Sequence, residues 1–155
     1  MKHKTKTLFI NLAVSLGTGG LSALVSMNTM KKYQAFHQPP LAPPPFIFPI
    51  VWTILFLLMG ISAYLICISR NTALKRKALT VYGIQLGFNF LWSVFFFHAG
   101  FHLFSFFWLI ALWILILIMI VLFGKIRSAA ALLQLPYLLW TAFAGYLNIM
   151  IYLLN

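Results

Sequence analysis

Aspartate and glutamate are both absent from this chain of 155 residues, although it carries eleven lysines and arginines. That absence excludes paired-carboxylate acid/base chemistry, carboxylate-oriented catalytic triads and Asp/Glu proton relays built from the chain's own side chains. It also removes the intramembrane acid that small multidrug exporters need, while leaving substrate movement without ion coupling open. Cysteine is reduced to Cys67, so no intramolecular disulfide can form, and a buried inert thiol is its default reading. His98 and His102 are four apart, but Gly100 lies between them at a predicted turn and no further ligand is evident, so no metal site is expected.

What remains is 63% hydrophobic, 17% aromatic and only 7% charged, the composition of an integral membrane protein. Hydropathy predicts five spans, at Leu8–Met27, Phe46–Ser69, Leu79–Phe97, Leu103–Gly124 and Ala129–Leu154. Each has the roughly 20 apolar residues that cross about 30 Å of hydrocarbon as a helix. They are too long and too continuously apolar for barrel strands. The fold class is therefore all-α, a single membrane domain over residues 1–155 built as a five-transmembrane-helix bundle. The basic start followed by an apolar stretch could alternatively be a cleaved signal peptide. The Asn11, Ser15, Thr18, Ser22 and Gly17 to Gly20 positions instead suit helix packing in a retained first span.

Pro49 suits the first turn of the second span and Gly124 the end of the fourth, with Lys125 to Ser128 as a tight turn. The connection 28–45 contains five prolines, which predict an extended segment long enough to fold over a site. Nine of the eleven cations fall on one face: Lys2, Lys4, Lys6, Arg70, Lys75, Arg76, Lys77, Lys125 and Arg127. Only Lys31 and Lys32 fall on the other, so the positive-inside rule predicts a cytoplasmic amino terminus, with a bacterial cytoplasmic membrane as the expected location. The Lys75 to Lys77 cluster is short and adjoins a membrane helix, which suits anionic lipid head groups of the bilayer rather than nucleic acid.

Within the third span, Tyr82, Gln85, Asn89, Trp92 and Phe96 follow spacings of 3, 4, 3 and 4 and share one helical stripe. Gly83 and Gly87 lie on the opposite side and predict close contact with a neighbouring helix. The fifth span repeats the stripe with Tyr137, Trp140, Ala144 and Asn148, and Pro136 predicts a bend beside Tyr137. On the second span Trp52, Phe56, Met59 and Ala63 align in the same way. Two readings of these stripes stay open: packing faces alone, or walls of one aromatic cavity with neutral amides inside it.

The runs FIFPIVWTILFLLMG from Phe46, YGIQLGFNFLWSVFFF from Tyr82 and LPYLLWTAFAGYLN from Leu135 together resemble the translocator protein family. Its members are also called tryptophan-rich sensory proteins, TspO/MBR proteins or peripheral benzodiazepine receptors. The likeness extends through Tyr33 and the loop prolines over essentially the whole chain. It implies a dimeric bundle that binds porphyrins such as protoporphyrin IX or haem, sterols, and isoquinoline-type or benzodiazepine-type drugs beneath the first loop, with no cofactor required. The implied pocket uses Tyr33, Trp52, Phe56, Asn89, Trp92, Trp113, Trp140, Ala144 and Asn148. Trp52 and Trp140 also match positions associated in the family with light-dependent porphyrin breakdown, the implied catalytic pair.

Trp and Tyr faces can stack on a flat macrocycle, and Lys31, Lys32 or Asn89 can meet its propionates. Two departures concern the loop. Pro39, Pro40, Leu41 and Ala42 stand where members commonly have tryptophan, and Gln34 stands where they tend to carry an acid. The family's sterol-recognition segment is incomplete, because no Lys or Arg follows Tyr146 before Asn155.

Overall fold

The computed structural model describes residues 1–155 and contains only helices and their connections. Five helical segments are long and apolar enough to cross a membrane. The first, α1 (Lys2–Met27), begins well before Leu8, and in its polar first turns the Thr5 and Thr7 hydroxyls donate back to the Met1 and His3 carbonyls. A short α2 (Met30–Ala35) follows in the connection expected to be extended. The prolines constrain the chain only from Gln38 onward, so the residues before them are free to form a turn of helix. From Phe36 the connection is non-helical and turns at Pro40–Leu41, where Leu41 has φ +69° and the Ala42 N–H donates to the Pro39 carbonyl, before α3 (Ile47–Cys67) begins.

Pro49 occupies the first turn of α3, where its missing N–H costs no helical bond. Lys75 closes the other end by donating to the Cys67 and Ser69 carbonyls, a cation placed on the negative end of the helix. Thr72 caps α4 (Ala73–Ser93) by accepting from the Lys75 N–H at 3.1 Å. The helix then widens into a π-turn over Val94–His98, and Gly100, at φ +69°, provides the left-handed residue that reverses the chain.

Helix α5 runs His102–Ile126, passing through Gly124, so that glycine is interior rather than terminal. A side chain there would contact the Ala131 methyl at 3.6 Å, and the helix ends only where Arg127 becomes extended. The last span is divided into α6 (Ser128–Leu132) and α7 (Leu135–Leu154), in place of one bent helix. Pro136 lies in the first turn of α7, where it needs no donor. Breaking before the proline avoids the clash and the lost bond that a bend beside Tyr137 would carry.

The spans pack in a definite order: α1 on α3, α4 on α5, and α5 on α7. Two glycines bring α1 and α3 together. A Cβ on Gly19 would fall 2.5 Å from the Phe56 ring, and one on Gly60 would fall 2.6 Å from the Ser15 hydroxyl. Gly17 and Gly20 face open space, as do Gly83 and Gly87 on α4, so the latter pair makes no contact with a helix of its own chain. The backbones of α3 and α7 hardly approach each other, and the room between them is where the aromatic stripes converge.

Candidate functional site: an aromatic cavity beneath the first loop

The polar and aromatic stripe of α4 faces inward: Tyr82, Gln85, Asn89, Trp92 and Phe96 are all buried. Tyr137, Ala144 and Asn148 of α7 and Phe56, Met59 and Ala63 of α3 are buried as well, with Trp52 and Trp140 half-buried. Of these, Trp52, Phe56, Asn89, Trp92, Phe96, Trp140, Ala144 and Asn148, together with residues of α1 and α2, enclose a largely apolar cavity of about 530 Å³. That size lies within the range of small-molecule sites. Eight of the nine expected site residues line it: Tyr33, Trp52, Phe56, Asn89, Trp92, Trp140, Ala144 and Asn148. The stripes are thus both packing faces and cavity walls.

The ninth expectation is corrected. Trp113 lies outside the cavity, wedged between α5 and α7 with its indole N–H on the Leu138 carbonyl at 3.2 Å. An indole within a nearly aliphatic helix is here explained by that one bond, since a polar N–H in hydrocarbon needs an acceptor. Trp113→Phe is accordingly expected to leave ligand affinity unchanged within about twofold while lowering bundle stability by about 1 kcal/mol. Parallel titration and unfolding measurements on the variant check both halves.

Two hydrogen-bonded clusters set the polar groups of the walls. Tyr137 donates to Gln85 Oε1 at 2.7 Å and accepts from Asn89 Nδ2 at 2.8 Å. The Asn89 carbonyl oxygen takes no protein hydrogen bond, so this amide keeps free capacity on a cavity-lining residue. Asn148 is different. Its Oδ1 accepts from Trp92 Nε1 at 3.1 Å and from the Ser105 hydroxyl at 3.0 Å, and its Nδ2 donates to the His102 carbonyl at 2.7 Å. Most of its bonding capacity is committed within the protein, where it fixes the Trp92 ring and joins α4, α5 and α7.

Aromatic contacts complete the enclosure. Trp92 stacks on Phe96 with ring centroids 5.5 Å apart, and Trp52 lies 6.3 Å from both Trp92 and Tyr137. The loop covers one end of the cavity as a lid. Tyr33 inserts among Phe48, Phe96 and Phe97 with centroids 5.8 to 6.0 Å away. Burial pushes its phenol above the ordinary tyrosine range, so it remains neutral at physiological pH. Gln38 donates to the Tyr33 carbonyl at 2.7 Å, while Tyr146 donates to the Pro40 carbonyl at 2.7 Å. The His37 N–H donates to Asn155 Oδ1 at 2.9 Å. A lid without tryptophan is therefore latched by α7 instead. Lys31 and Lys32 are exposed on α2 beside the lining residues Met30 and Tyr33, and no charged side chain lines the cavity itself.

The contribution of α1 was not anticipated. Gly19, Ser22, Ala23, Ser26 and Met27 form one wall, and their signal is the small-residue repeat at helical spacing. Phe48, Phe97 and Leu147 were also missed, since apolar residues in apolar spans carry no distinguishing mark.

The TspO/MBR family profile matches residues 9–154. The chain is 34% identical to the tryptophan-rich protein TspO of Chlorobaculum tepidum over 155 residues, covering 97% of this chain and 96% of that one. It is 37% identical to the protein of the same name from Archaeoglobus fulgidus over 142 residues, covering 92% and 91%. The translocator protein of Ovis aries is 31% identical over 118 residues, covering 75% and 70%. The matched region contains every cavity-lining residue, and the chain belongs to the TspO/MBR family of multi-pass integral membrane proteins.

Proposed function

We propose that this chain is a membrane receptor or sensor that binds a porphyrin, protoporphyrin IX or haem, or a related flat hydrophobic molecule in the cavity, and that it requires no cofactor of its own. The observation carrying this reading is the convergence of Trp52, Trp92, Trp140 and Tyr33 on one uncharged cavity. Large aromatic faces suit a planar macrocycle, and Asn89 presents a neutral amide with unused hydrogen-bonding capacity. With no carboxylate side chain in the sequence, no acidic residue of the cavity repels propionate groups, and Lys31 and Lys32 stand near the lid to meet them. Sterols and benzodiazepine-type or isoquinoline-type molecules share the flat apolar shape and are the alternative ligands.

The charge distribution supports a cytoplasmic amino terminus in a bacterial inner membrane. The open Gly83 and Gly87 face of α4 offers a second copy a smooth surface, in keeping with a homodimer. The test is quenching of intrinsic tryptophan fluorescence by protoporphyrin IX in the reconstituted protein. Trp140→Ala and Asn89→Ala are each expected to weaken binding by about tenfold, from lost stacking area and a lost polar contact. Unchanged affinity in both variants would dismiss the site. A light-dependent degradation reading has the placement of Trp52 and Trp140 on one cavity in its favour. Illuminating the aerated complex tests it, and a porphyrin spectrum decaying no faster than that of free porphyrin would exclude it.

A further inference from the structure

The tryptophans differ in how firmly they are held. Trp92, Trp108 and Trp113 each donate an indole N–H to a protein acceptor, at 3.1, 2.9 and 3.2 Å. The Trp140 N–H is buried and has no partner, so turning this ring breaks no hydrogen bond. Trp140 is also the one residue shared by the cavity and a second, shallow space of about 440 Å³ on the lipid side of the bundle. Val51, Ile54 and Leu55 of α3 and Pro136, Leu139 and Phe143 of α7 form that outer groove.

The two helices flanking this wall do not close it with their backbones, in contrast to α1 with α3 or α5 with α7. Side chains fill the gap. The Trp140 ring meets Phe48 across it at 6.1 Å and Phe143 along its own helix at 5.4 Å. The other route, through the lid, is held by the Tyr146 and Asn155 hydrogen bonds.

We infer that the α3–α7 gap is the entry portal of the cavity, with Trp140 as its side-chain gate, admitting a flat apolar ligand directly from the bilayer. The inference rests on the binding function proposed above. A ligand of this class concentrates in lipid, where the groove already presents an apolar approach to the outer face of Trp140. Rotation of one unbonded ring between rotamers is faster than release of a latched loop. The lid can then remain shut while the cavity fills.

The portal can be locked without altering the cavity lining. Ile54 and Leu139 line only the groove and are exposed, so an Ile54→Cys/Leu139→Cys double variant in a Cys67→Ser background can be bridged by a short bis-maleimide, each thiol adding across one maleimide double bond. Protoporphyrin IX is added to proteoliposomes, and tryptophan quenching is followed at protein densities where the rate scales with protein. Bridging is expected to slow association and dissociation together by about tenfold or more and to leave equilibrium affinity within about twofold. The unbridged protein should match the parent. Leu139→Trp, which narrows the groove without a linker, should slow association in the same sense.

An association rate unaffected by bridging and by Leu139→Trp would overturn the portal, as would acceleration by Tyr146→Phe alone, which would assign entry to the lid. Loss of equilibrium binding on bridging would make the groove part of the site and would also overturn it. Absence of quenching in the unbridged parent would reject the binding function itself, and the portal with it.

Discussion

Ala144→Phe should abolish porphyrin binding while leaving the bundle folded. Ala144 is 7% exposed and forms part of the cavity wall on α7, one turn from Trp140. A benzyl group there projects into space that the fold leaves open, so it displaces ligand rather than protein atoms. Overpacking a filled core costs about 1 to 3 kcal/mol, and an open cavity avoids most of that cost. Loss of affinity by about a hundredfold or more is expected, corresponding to roughly 3 kcal/mol of excluded ligand contact. Fluorescence titration together with far-ultraviolet circular dichroism checks the two halves. Retained affinity would move the ligand out of this cavity.

Asn148→Leu should produce the opposite balance, harming the fold first and binding as a consequence. Three hydrogen bonds are lost at once, from the Trp92 indole N–H, the Ser105 hydroxyl and the His102 carbonyl, although the Ser105 hydroxyl keeps the His102 carbonyl as an acceptor at 2.9 Å. Side-chain hydrogen bonds between membrane helices average about 0.6 kcal/mol and reach about 1.7 kcal/mol, so roughly 2 to 4 kcal/mol of stability should be lost. Trp92 would also be released from its orientation against Phe96 and Trp52, weakening whatever stacks there. Equilibrium unfolding in mixed micelles measures the first effect. A stability loss below about 0.5 kcal/mol would show that water or lipid replaces these bonds without penalty.

The contrast between these neighbours on one helical stripe shows what could be read from sequence. The periodicity that aligns Tyr137, Trp140, Ala144 and Asn148 requires only about 100° per residue, and it placed all four toward the bundle interior. Whether Asn148 faces ligand or secures protein depends on Ser105 and His102, which come from another helix and have no regular spacing relative to it. Trp113 illustrates the same limit, because its acceptor is a backbone carbonyl on α7 that no pattern in α5 announces.

Breaks were legible where their cause was local and obscure where it was not. Gly100 marks the turn before α5 because the backbone there requires a positive φ. Gly124 carries the same residue type, yet α5 continues through it to Ile126, and a Cβ there would make only ordinary contact with Ala131. Pro136 announced a discontinuity, and the chain resolved it as a new helix rather than a bend. The absence of acids was the most informative single property at the outset. In the folded chain it corresponds to a cavity whose polar groups are amides, hydroxyls and indoles, with no carboxylate to oppose an anionic ligand.

The most direct test of the central claim is a structure of the reconstituted protein with protoporphyrin IX bound. The macrocycle should lie within the cavity, in contact with Trp52, Trp92 and Trp140, with its propionates directed toward Asn89 or the lid lysines. Density for the porphyrin only on the lipid-facing surface, with the cavity empty, would contradict the account.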